Sequence, residues 1–494
     1  MHIAFLNPQG NFNPKDSYWA EHPDFGGQLV YVKEVALGLA GRGHQVDILT
    51  RKIVDPEWPE FSESMDAYPG MTNLRILRIP CGPDHFLIKE ELWPFLATEW
   101  VPNILAFYQA EKKQPDIFTT HYGDGGLAGA VIQNKIGVPF TFTAHSLGAQ
   151  KMEKLGVTST NITEFDSRYH FTIRIAAELI SMNHAARIIT STHQEKETQY
   201  GHPAYQGAVS TSDEKKFSVI PPGVNLRIFS QVPGNDDGLV AARIKQIAQS
   251  SLDPGRDQLP CIVSASRLDP KKNITGLVQA FADNQELQQR GNILLAVRGK
   301  VESFSQEEFF NSTDNSVIKE INSIMDQHHL EGKIFAVPLN SQEELAAAYR
   351  YSAHLRSVFI LPALYEPFGL APLEAIACGL PAVVTKNGGP TESLIEGERE
   401  FGVLVDPENP TDIANGLLRL LRSKTEWHRI QQAGLARVHE KYTWEQTAQG
   451  YEQVFQEIIR ENGNSAEARE LPIAKYFFNP SEGNRDLISS LDWL

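Results

Sequence analysis

Several features are scarce or absent in this sequence, and each absence excludes a class of protein. Its 494 residues include three cysteines, Cys81, Cys261 and Cys378, which lie far apart. Their odd number and wide spacing predict neither a disulfide framework nor a zinc site, and they favour a reducing compartment. No apolar run approaches the ~20 residues that a membrane-spanning helix needs. No charged leader precedes the apolar segment 2–6. We therefore expect a cytoplasmic protein with no membrane partner.

Positive charge is also in short supply. The chain has 45 Lys and Arg against 61 Asp and Glu, a formal net charge of −16. Nucleic acids and anionic membranes require a basic face, so we expect neither as a partner. No two aspartates lie two positions apart, and no histidines cluster with metal-ligand spacing. We therefore expect no metal and no other cofactor, and any anionic ligand must be held by a few individually placed cations.

The alternation of apolar strands with amphipathic helices defines the fold class. A chain of this length fits two domains of ordinary size. Strand–helix alternation in both halves predicts an α/β protein with two Rossmann-like, doubly wound parallel sheets. In the first half we expect a helix over 29–40 and strands over 3–6, 46–50, 75–79, 117–120, 140–144, 188–190 and 219–220. In the second half we expect strands over 262–265, 293–297, 334–337, 358–361, 382–385 and 403–405, with helices between them.

The domain boundary is predicted from a break in this alternation. The Pro-rich segment 221–225 is followed by a polar stretch rich in Gly, Asp and Ser. We expect this stretch to be weakly structured up to about Pro260 and to contain the linker. The predicted domains are 1–225 and 226–445, and the first is completed by 446–494, which reads as irregular from about Asn462. Ligands are expected in the cleft between the two domains.

Two carboxylates across a Pro-Phe-Gly turn form the most informative motif. Glu366 is predicted on the loop that leaves the strand 358–361, and Glu374 about one turn into the following helix. Ligands of open α/β sheets bind at the carboxyl ends of strands. Free amides at the helix start, near Leu370 and Ala371, suit an anion. A nucleotide sugar accounts for both halves of this motif, because it presents phosphates and hydroxyls.

Two cations follow the first strand of the second half. Arg267 and Lys272 lie on the loop after the strand 262–265, where a forked guanidinium and a compact ammonium suit a diphosphate. They would stabilise the charge that develops as a nucleoside diphosphate departs. A lone loop cation is usually just solvated, but these two share one sheet edge with Glu366 and Glu374.

Together these residues resemble the donor site of retaining glycosyltransferases with the GT-B fold, over nearly the whole chain. The resemblance implies that Arg267 and Lys272 hold the donor diphosphate, that Glu366 contacts the sugar and that Glu374 binds the ribose. The short aspartate motif of metal-dependent transferases is absent. By the same resemblance, further donor contacts come from Gly27, Leu339, Asn340, Phe368, Gly369 and Leu370, with the backbone near Leu339 meeting the base. The turn 388–390 resembles the loop near the sugar, although an ordinary turn is the better explanation of this motif alone.

Four motifs of the first half, 7–10, 23–28, 121–126 and 143–151, are similar to those of the sucrose-phosphate synthases. That resemblance implies an acceptor phosphate bound by Lys89, Ser146, Lys151 and Arg174, and a sugar contact from Gln28. Gly26 and Gly27 would let backbone amides approach the substrates closely, although a tight loop before a helix is an equal alternative. Tyr122 and Asp124 are weaker acceptor candidates, and Asp124 equally suits a turn.

A single histidine follows the strand 140–144. A lone histidine in such a place is usually a satisfied buried side chain. Its neighbour Ser146 belongs to the phosphate set, and the resemblance puts His145 beside the transferred sugar. We expect His145 to orient that sugar, not to act as a nucleophile.

The resemblance implies transfer of glucose from UDP-glucose, or from ADP-glucose, to fructose 6-phosphate with retention of configuration. Three alternatives stay open: a mannosylfructose-phosphate synthase that uses GDP-mannose, a sucrose synthase that uses free fructose, and a non-catalytic sensor of nucleotide sugars. Pro362, where relatives commonly have a small polar residue, leaves the donor base open. No aspartate-rich phosphatase signature is present, so a separate phosphatase is the expected partner for the next step.

Overall fold

The chain of the computed structural model folds as two units, Met1–Pro221 with Thr447–Leu494, and Pro222–Gln446. The structure describes residues 1–19, 22, 24–298, 312–461, 471–484, 487 and 491–494. Within these residues, none of the helices combines the length and the apolar character that crossing a lipid bilayer requires.

The first unit is built on an eight-stranded sheet in the order β3-β4-β2-β1-β5-β6-β7-β8. All neighbours pair in parallel except β3 with β4. The strands are β1 His2–Leu6, β2 Gln45–Arg51, β3 Met65–Asp66, β4 Leu74–Ile79, β5 Ile117–His121, β6 Phe140–Thr143, β7 Arg187–Thr190 and β8 Phe217–Val219. The chain runs outwards in one direction from β1 and in the other from β5, so the order reverses between these two strands.

Helices cover this sheet because their apolar residues recur every three or four positions. Gly27–Gly41, for example, buries Leu29, Val32, Val35 and Leu39. Small residues bring two other helices together: a Cβ on Gly126 would lie 2.2 Å from Ser181 Oγ. The longer helices are Gly27–Gly41, Val101–Glu111, Tyr122–Ile136, Gly148–Lys154, Ile162–Tyr169, Phe171–His184 and, from Thr447 onwards, Trp444–Arg460.

The second unit is built on a six-stranded sheet in the order β11-β10-β9-β12-β13-β16, with all neighbours parallel. Its strands are β9 Cys261–Ala265, β10 Asn292–Val297, β11 Ile334–Pro338, β12 Val358–Leu361, β13 Ala382–Thr385 and β16 Val403–Val405; β14 Ile395–Glu396 and β15 Arg399–Glu400 form a separate antiparallel pair. Here the order reverses between β9 and β12.

Both faces of this second sheet are buried. Along β12, Val358 and Ile360 belong to one apolar cluster, and Phe359 and Leu361 belong to the other. This alternation follows from the two-residue period of a strand. Helices on both faces complete the clusters: Asp237–Ser251, Ile274–Ala282, Gln285–Arg290, Ser312–His328, Gln342–His354, Leu370–Ala377, Pro390–Leu394, Pro410–Arg422 and Lys424–Lys441. The predicted α/β class with two Rossmann-like, doubly wound sheets is confirmed.

One prediction about this unit is wrong. The stretch expected to be weakly structured up to about Pro260 contains the four-turn helix Asp237–Ser251. Its buried residues Val240, Ile244 and Ala248 recur every four positions and pack in the cluster that covers β9. The helix belongs to the second unit, and the two units divide between Pro221 and Pro222.

The C-terminal residues that the structure describes belong to the first unit. Short 3-10 turns span Lys475–Phe477 and Pro480–Glu482. Tyr476, Phe477 and Leu487 are buried in the core of that unit. The other part of the segment expected to be irregular, including 462–470, lies outside the described residues.

Candidate active site

A pocket of about 290 Å³ lies in the first unit where the strand order reverses. Gln9 follows β1 and Tyr122 follows β5, so the pocket sits at the carboxyl ends of those two strands, where open α/β sheets bind ligands. It contains every residue predicted for the acceptor. The lining is Gln9, Asp24, Gly26, Gly27, Gln28, Lys89, Glu90, Trp93, Tyr122, Gly123, Asp124, Ser146, Lys151, Tyr169 and Arg174.

Arg174 holds one wall of this pocket in place. Its Nε donates to Glu178 Oε1 over 2.8 Å, one turn further along the same helix. One terminal nitrogen donates to the Ser146 carbonyl over 2.7 Å, with the Ser146 hydroxyl at 3.4 Å. The guanidinium therefore fixes the loop after β6 beside the pocket.

Lys151 and Lys89 add two further cations with different surroundings. The Lys89 ammonium is ion-paired with Asp24. Lys151 Nζ lies 4.2 Å from the Tyr169 ring centroid and has no carboxylate partner among the described residues. Burial lowers the pKa of Lys151, and the positive charge of Arg174 lowers it further. A bound anion would relieve this repulsion.

The two glycines at the start of the helix Gly27–Gly41 leave space at the pocket. Gly26 is the N-cap residue, and no side chain caps the helix. A Cβ on Gly26 would lie 2.9 Å from Gln28 Oε1, whereas a Cβ on Gly27 would meet nothing within 4 Å. Gly27, predicted to contact the donor, therefore lines the same pocket as the predicted acceptor residues.

Asp124 is a carboxyl group buried against the pocket. Its Oδ1 accepts from the Gly125 backbone N–H over 2.7 Å and lies 3.4 Å from Gln9 Nε2. Burial raises the pKa of Asp124 to about 7, against these two hydrogen bonds. Asp124 can therefore carry a proton near neutral pH.

His145 follows β6 and is not among the residues that line this pocket, although its neighbour Ser146 is. Its backbone is left-handed, with φ of 56°. The Nε2 atom of His145 is 2.8 Å from Nδ1 of His121, and the two rings stack. Burial lowers the pKa of His145 to about 3 and holds the pKa of His121 well below its usual range. His145 is therefore a neutral imidazole next to Ser146, which lines the pocket.

The second unit has a pocket of about 310 Å³ at the carboxyl ends of β9, β10 and β11. The structure brings Arg267 and Leu339 together in it, as predicted for a donor site. Arg298, which sequence reasoning missed, also lines it. Arg267 and Arg298 are exposed, and their guanidinium groups make no hydrogen bond or ion pair to any described residue. The lining is Ala265, Ser266, Arg267, Leu268, Ala296, Val297, Arg298, Leu339, Ser341, Gln342 and Leu345.

Lys272 and Glu366 meet where the strand order of the second sheet reverses, since one follows β9 and the other follows β12. Lys272 Nζ donates to Glu366 Oε2 over 2.7 Å. Glu366 is also fixed through its backbone, which accepts from the Gly389 N–H over 3.0 Å and pairs with Gly388. The turn 388–390 is therefore held against Glu366.

Gly369 begins the helix Leu370–Ala377 in a left-handed conformation, with φ of 94°. No side chain caps this helix, so its first amides, including that of Leu370, stay available. Phe368 lies 5.9 Å from the Tyr442 ring. Glu374 lies within the helix, and burial raises its pKa to about 7. Lys272, Asn340, Glu366 and Glu374 do not line the pocket that contains Arg267.

The backbone near Leu339 is partly occupied by protein contacts. The Leu339 N–H donates to the Val297 carbonyl over 2.8 Å. The Asn340 N–H donates to Glu344 Oε2 over 2.7 Å, while Ser341 Oγ accepts from the Glu344 N–H over 3.0 Å. A base at this position would therefore meet carbonyl oxygens and side chains.

Some lining residues carried no usable sequence signal. Trp93, Tyr169 and Glu90 reach the first pocket from segments that are distant in sequence. Asp24 and His121 lie in the motifs 23–28 and 121–126, but the sequence did not show that Asp24 pairs with Lys89 or that His121 contacts His145. Among the described residues, no group of three or more His, Cys, Asp or Glu side chains could hold a metal ion.

Comparisons with known proteins match both halves of the chain. The family model of glycosyl transferases group 1 matches residues 249–437, and the model of the sucrose synthase first GT-B domain matches residues 1–241. A probable sucrose-phosphate synthase of Thermosipho melanesiensis is 44% identical over 91% of this chain and 95% of that protein. The sucrose-phosphate synthase of Zea mays is 31% identical over 91% of this chain, which spans about half, 47%, of that longer protein.

A solved structure agrees at the level of the fold. The sucrose-phosphate synthase of Thermosynechococcus elongatus superposes with a TM-score of 0.62 at 24% identity, covering 93% of this chain and 100% of that one. The resemblance inferred from the motifs is confirmed by the near full-length match to the Thermosipho melanesiensis protein. The chain therefore belongs to the sucrose-phosphate synthase family of GT-B glycosyltransferases, and it is a hexosyltransferase.

Proposed function

We propose that this enzyme transfers glucose from UDP-glucose to fructose 6-phosphate with retention of configuration, giving sucrose 6-phosphate and UDP. The observation that carries the proposal is the pocket of the first unit. There Lys151 has no carboxylate partner among the described residues, and Arg174 and Ser146 lie beside it. The similarity to sucrose-phosphate synthases of Thermosipho melanesiensis and Zea mays supports the proposed product.

The acceptor would bind in that pocket with its phosphate toward Lys151, Arg174 and Ser146. Lys89 would join them, although Asp24 already neutralises part of its charge. Gln28, Tyr122 and the backbone of Gly26 would contact the sugar. Free fructose would leave Lys151 among other cations without an anion, so the phosphorylated acceptor is favoured.

The donor would bind along the carboxyl ends of the second sheet. Arg267 and Lys272 would neutralise the diphosphate, with the amides at the start of Leu370–Ala377 as further donors. Glu366 and the backbone of Phe368 and Gly369 would hold the sugar. Glu374, with a pKa of about 7, could donate to or accept from the ribose. The segment Leu339-Asn340 would face the base.

Chemically, the bond from the anomeric carbon to the donor phosphate oxygen breaks as the acceptor hydroxyl forms its new bond on the same face. The acceptor proton passes to the departing phosphate, and Arg267 and Lys272 stabilise the negative charge that leaves. A covalent sugar–enzyme intermediate would need a free carboxylate at the anomeric carbon. Glu366 is paired with Lys272, so we assign it to holding the sugar. His145, a neutral imidazole, would hydrogen-bond the transferred sugar.

Three further features go with this proposal. We place the enzyme in the cytoplasm, where its three cysteines would stay reduced. We expect the transfer to need no metal ion, since protein cations meet the leaving charge. A separate phosphatase would remove the phosphate from the product.

A donor–acceptor activity screen tests the proposal directly. The purified protein is incubated with UDP-glucose, ADP-glucose, GDP-glucose or GDP-mannose, each with fructose 6-phosphate and with fructose, and the products are identified by NMR. We expect a sucrose 6-phosphate signal with UDP-glucose and fructose 6-phosphate. Product from GDP-mannose alone would indicate mannosylfructose phosphate synthesis, and product from fructose alone would indicate a sucrose synthase. Tight UDP-glucose binding without any sugar product would indicate a sensor.

A further inference from the structure

We propose that Arg298 selects the base of the nucleotide donor, and that it favours uracil and guanine over adenine. The inference rests on the proposed use of a nucleotide sugar, and it narrows the donor within that proposal. Sequence reasoning gave Arg298 no role, because nothing in the local motif marks it.

The strand order locates Arg298 along the donor. Strands β12, β9, β10 and β11 are neighbours and parallel, so their carboxyl ends follow one another along a single edge, about 4.8 Å apart. The residues that follow them are, in that order, Glu366, Arg267, Arg298 and Leu339. A donor whose sugar lies at Glu366 and whose diphosphate lies at Arg267 would extend its base toward β10 and β11. Arg298 stands at that position.

The chemistry of the pocket fits a base beside Arg298. Leu339, Leu345 and Val297 offer apolar surface for a flat ring. Arg298 and Arg267 are the charged side chains among the described lining residues, and no carboxylate is among them. Arg298 is exposed, and its guanidinium has no protein partner among the described residues. Its N–H donors are therefore available to a ligand.

A guanidinium discriminates between bases because it only donates hydrogen bonds. Uracil directs carbonyl oxygens outwards, and guanine presents O6 beside N7, two adjacent acceptors that match the forked donor. Adenine presents an amino group beside N7, so a donor faces a donor. The nearby Ser341 and Gln342 can each both donate and accept, so they suit any of these bases. Arg298 is therefore the selective group.

Calorimetry with free UDP, GDP and ADP tests the inference without requiring turnover. The variants are Arg298→Met, which removes the guanidinium, and Arg298→Lys, which keeps the charge without the fork. Arg356→Met is the control, since Arg356 is an exposed arginine of the same unit outside the pocket. We expect Arg298→Met to weaken UDP and GDP binding about tenfold and ADP binding less than twofold. Arg298→Lys should recover only part of the preference, and Arg356→Met should match the native protein.

Two outcomes would overturn the inference. Equal weakening of all three nucleotides by Arg298→Met would mean a contact to the phosphates or the ribose. Unchanged binding would mean that Arg298 does not touch the nucleotide. These results are distinct from failure of the proposed function, in which the native protein forms no sugar phosphate in the screen or binds none of the three nucleotides.

Discussion

We propose that Lys151 distinguishes a phosphorylated acceptor from a free sugar, because its ammonium group would bind the phosphate. Lys151→Ala removes a cation without a carboxylate partner among the described residues, so the fold loses no ion pair. We expect kcat/KM for fructose 6-phosphate to fall by 10²-fold or more, on the order of 3 kcal/mol, as for a lost bond to a charged group. Steady-state kinetics at fixed UDP-glucose measure the effect, and the thermal melting temperature should stay the same.

Lys154→Ala is the matched control, because Lys154 is exposed one turn further along the same helix and outside the pocket. It should leave the kinetics unchanged. If Lys151→Ala lowered the activity with fructose 6-phosphate and the activity with free fructose by the same factor, Lys151 would not bind the phosphate.

Gly27 tests whether empty space at the pocket is needed for substrates. A methyl group there meets no protein atom within 4 Å, and the backbone is not left-handed. We expect Gly27→Ala to fold with unchanged or slightly raised stability and to raise KM for at least one substrate severalfold. Gly41→Ala, at the other end of the same helix and also in open space, is the control. Equal activities of the two variants would remove Gly27 from the site.

The raised pKa of Asp124 predicts how the free energy of unfolding depends on pH. Its folded-state pKa of about 7 lies above the ordinary value of 3.8, so the fold favours the protonated form. The stability that this contributes is complete below about pH 3.8 and is lost as the pH rises through about 7. Asp124→Asn should therefore gain stability relative to the native protein as the pH rises from 5 to 8, by at most about 3 kcal/mol. Urea unfolding at both pH values measures this.

Asp213→Asn is the control for Asp124→Asn, because the side chain of Asp213 is exposed. We expect its unfolding free energy to follow the native pH dependence. A native-like pH dependence in Asp124→Asn as well would mean that Asp124 is ionised in the folded protein throughout this range.

At the scale of elements, the turn after β13 holds the loop after β12. Gly388 has φ of 108°, and a Cβ there would lie 2.0 Å from the Glu366 carbonyl oxygen. We expect Gly388→Ala to push the turn away from Glu366, to destabilise the protein by about 2–4 kcal/mol and to weaken donor binding. Denaturant unfolding and calorimetry with UDP-glucose measure the two effects.

Gly397→Ala is the control that separates two effects of Gly388→Ala: the clash of the new Cβ with Glu366, and the strain of a left-handed backbone at alanine. Gly397 also has a left-handed φ, 60°, but a Cβ there meets nothing within 4 Å. Its cost should be limited to about 1–2 kcal/mol of conformational strain, with normal UDP-glucose binding. A similar loss of binding in both variants would argue against a special contact between Gly388 and Glu366.

The strands and helices differed in how well the sequence predicted them. The strands of the second sheet are short apolar runs bounded by polar residues, and each predicted strand is present within two residues of its expected ends. The helix Asp237–Ser251 was missed because it carries only a narrow apolar stripe in a polar stretch. Val240, Ile244 and Ala248 were a readable signal at a spacing of four, but the neighbouring glycines and aspartates suggested a loop.

At the scale of the whole molecule, the chain has an excess of negative charge yet offers clusters of cations at two sheet edges. In the proposed mechanism, Arg267 and Lys272 of the second unit neutralise the negative charge of the leaving group. We expect the initial rate to be unchanged after dialysis against EDTA in metal-free buffer. If dialysis abolished the activity and added Mg²⁺ restored it, the proposed roles of Arg267 and Lys272 would be contradicted. Heat-denatured protein, which should form no product with Mg²⁺, is the control.

The sequence by itself determined the class of fold and the chemical types of the site residues, because periodicity and motif spacing are local properties of the chain. Every residue that the sequence predicted for the acceptor lines the pocket of the first unit, although these residues come from segments as far apart as Gly26 and Arg174. Only the tertiary structure decided which charges are neutralised. Asp24 pairs with Lys89 and Glu178 with Arg174, while Lys151 lacks a carboxylate partner among the described residues. Ion pairing and burial depend on distances between segments, so they set the pKa of Asp124 and the exposure of Arg298 without leaving a pattern in the sequence.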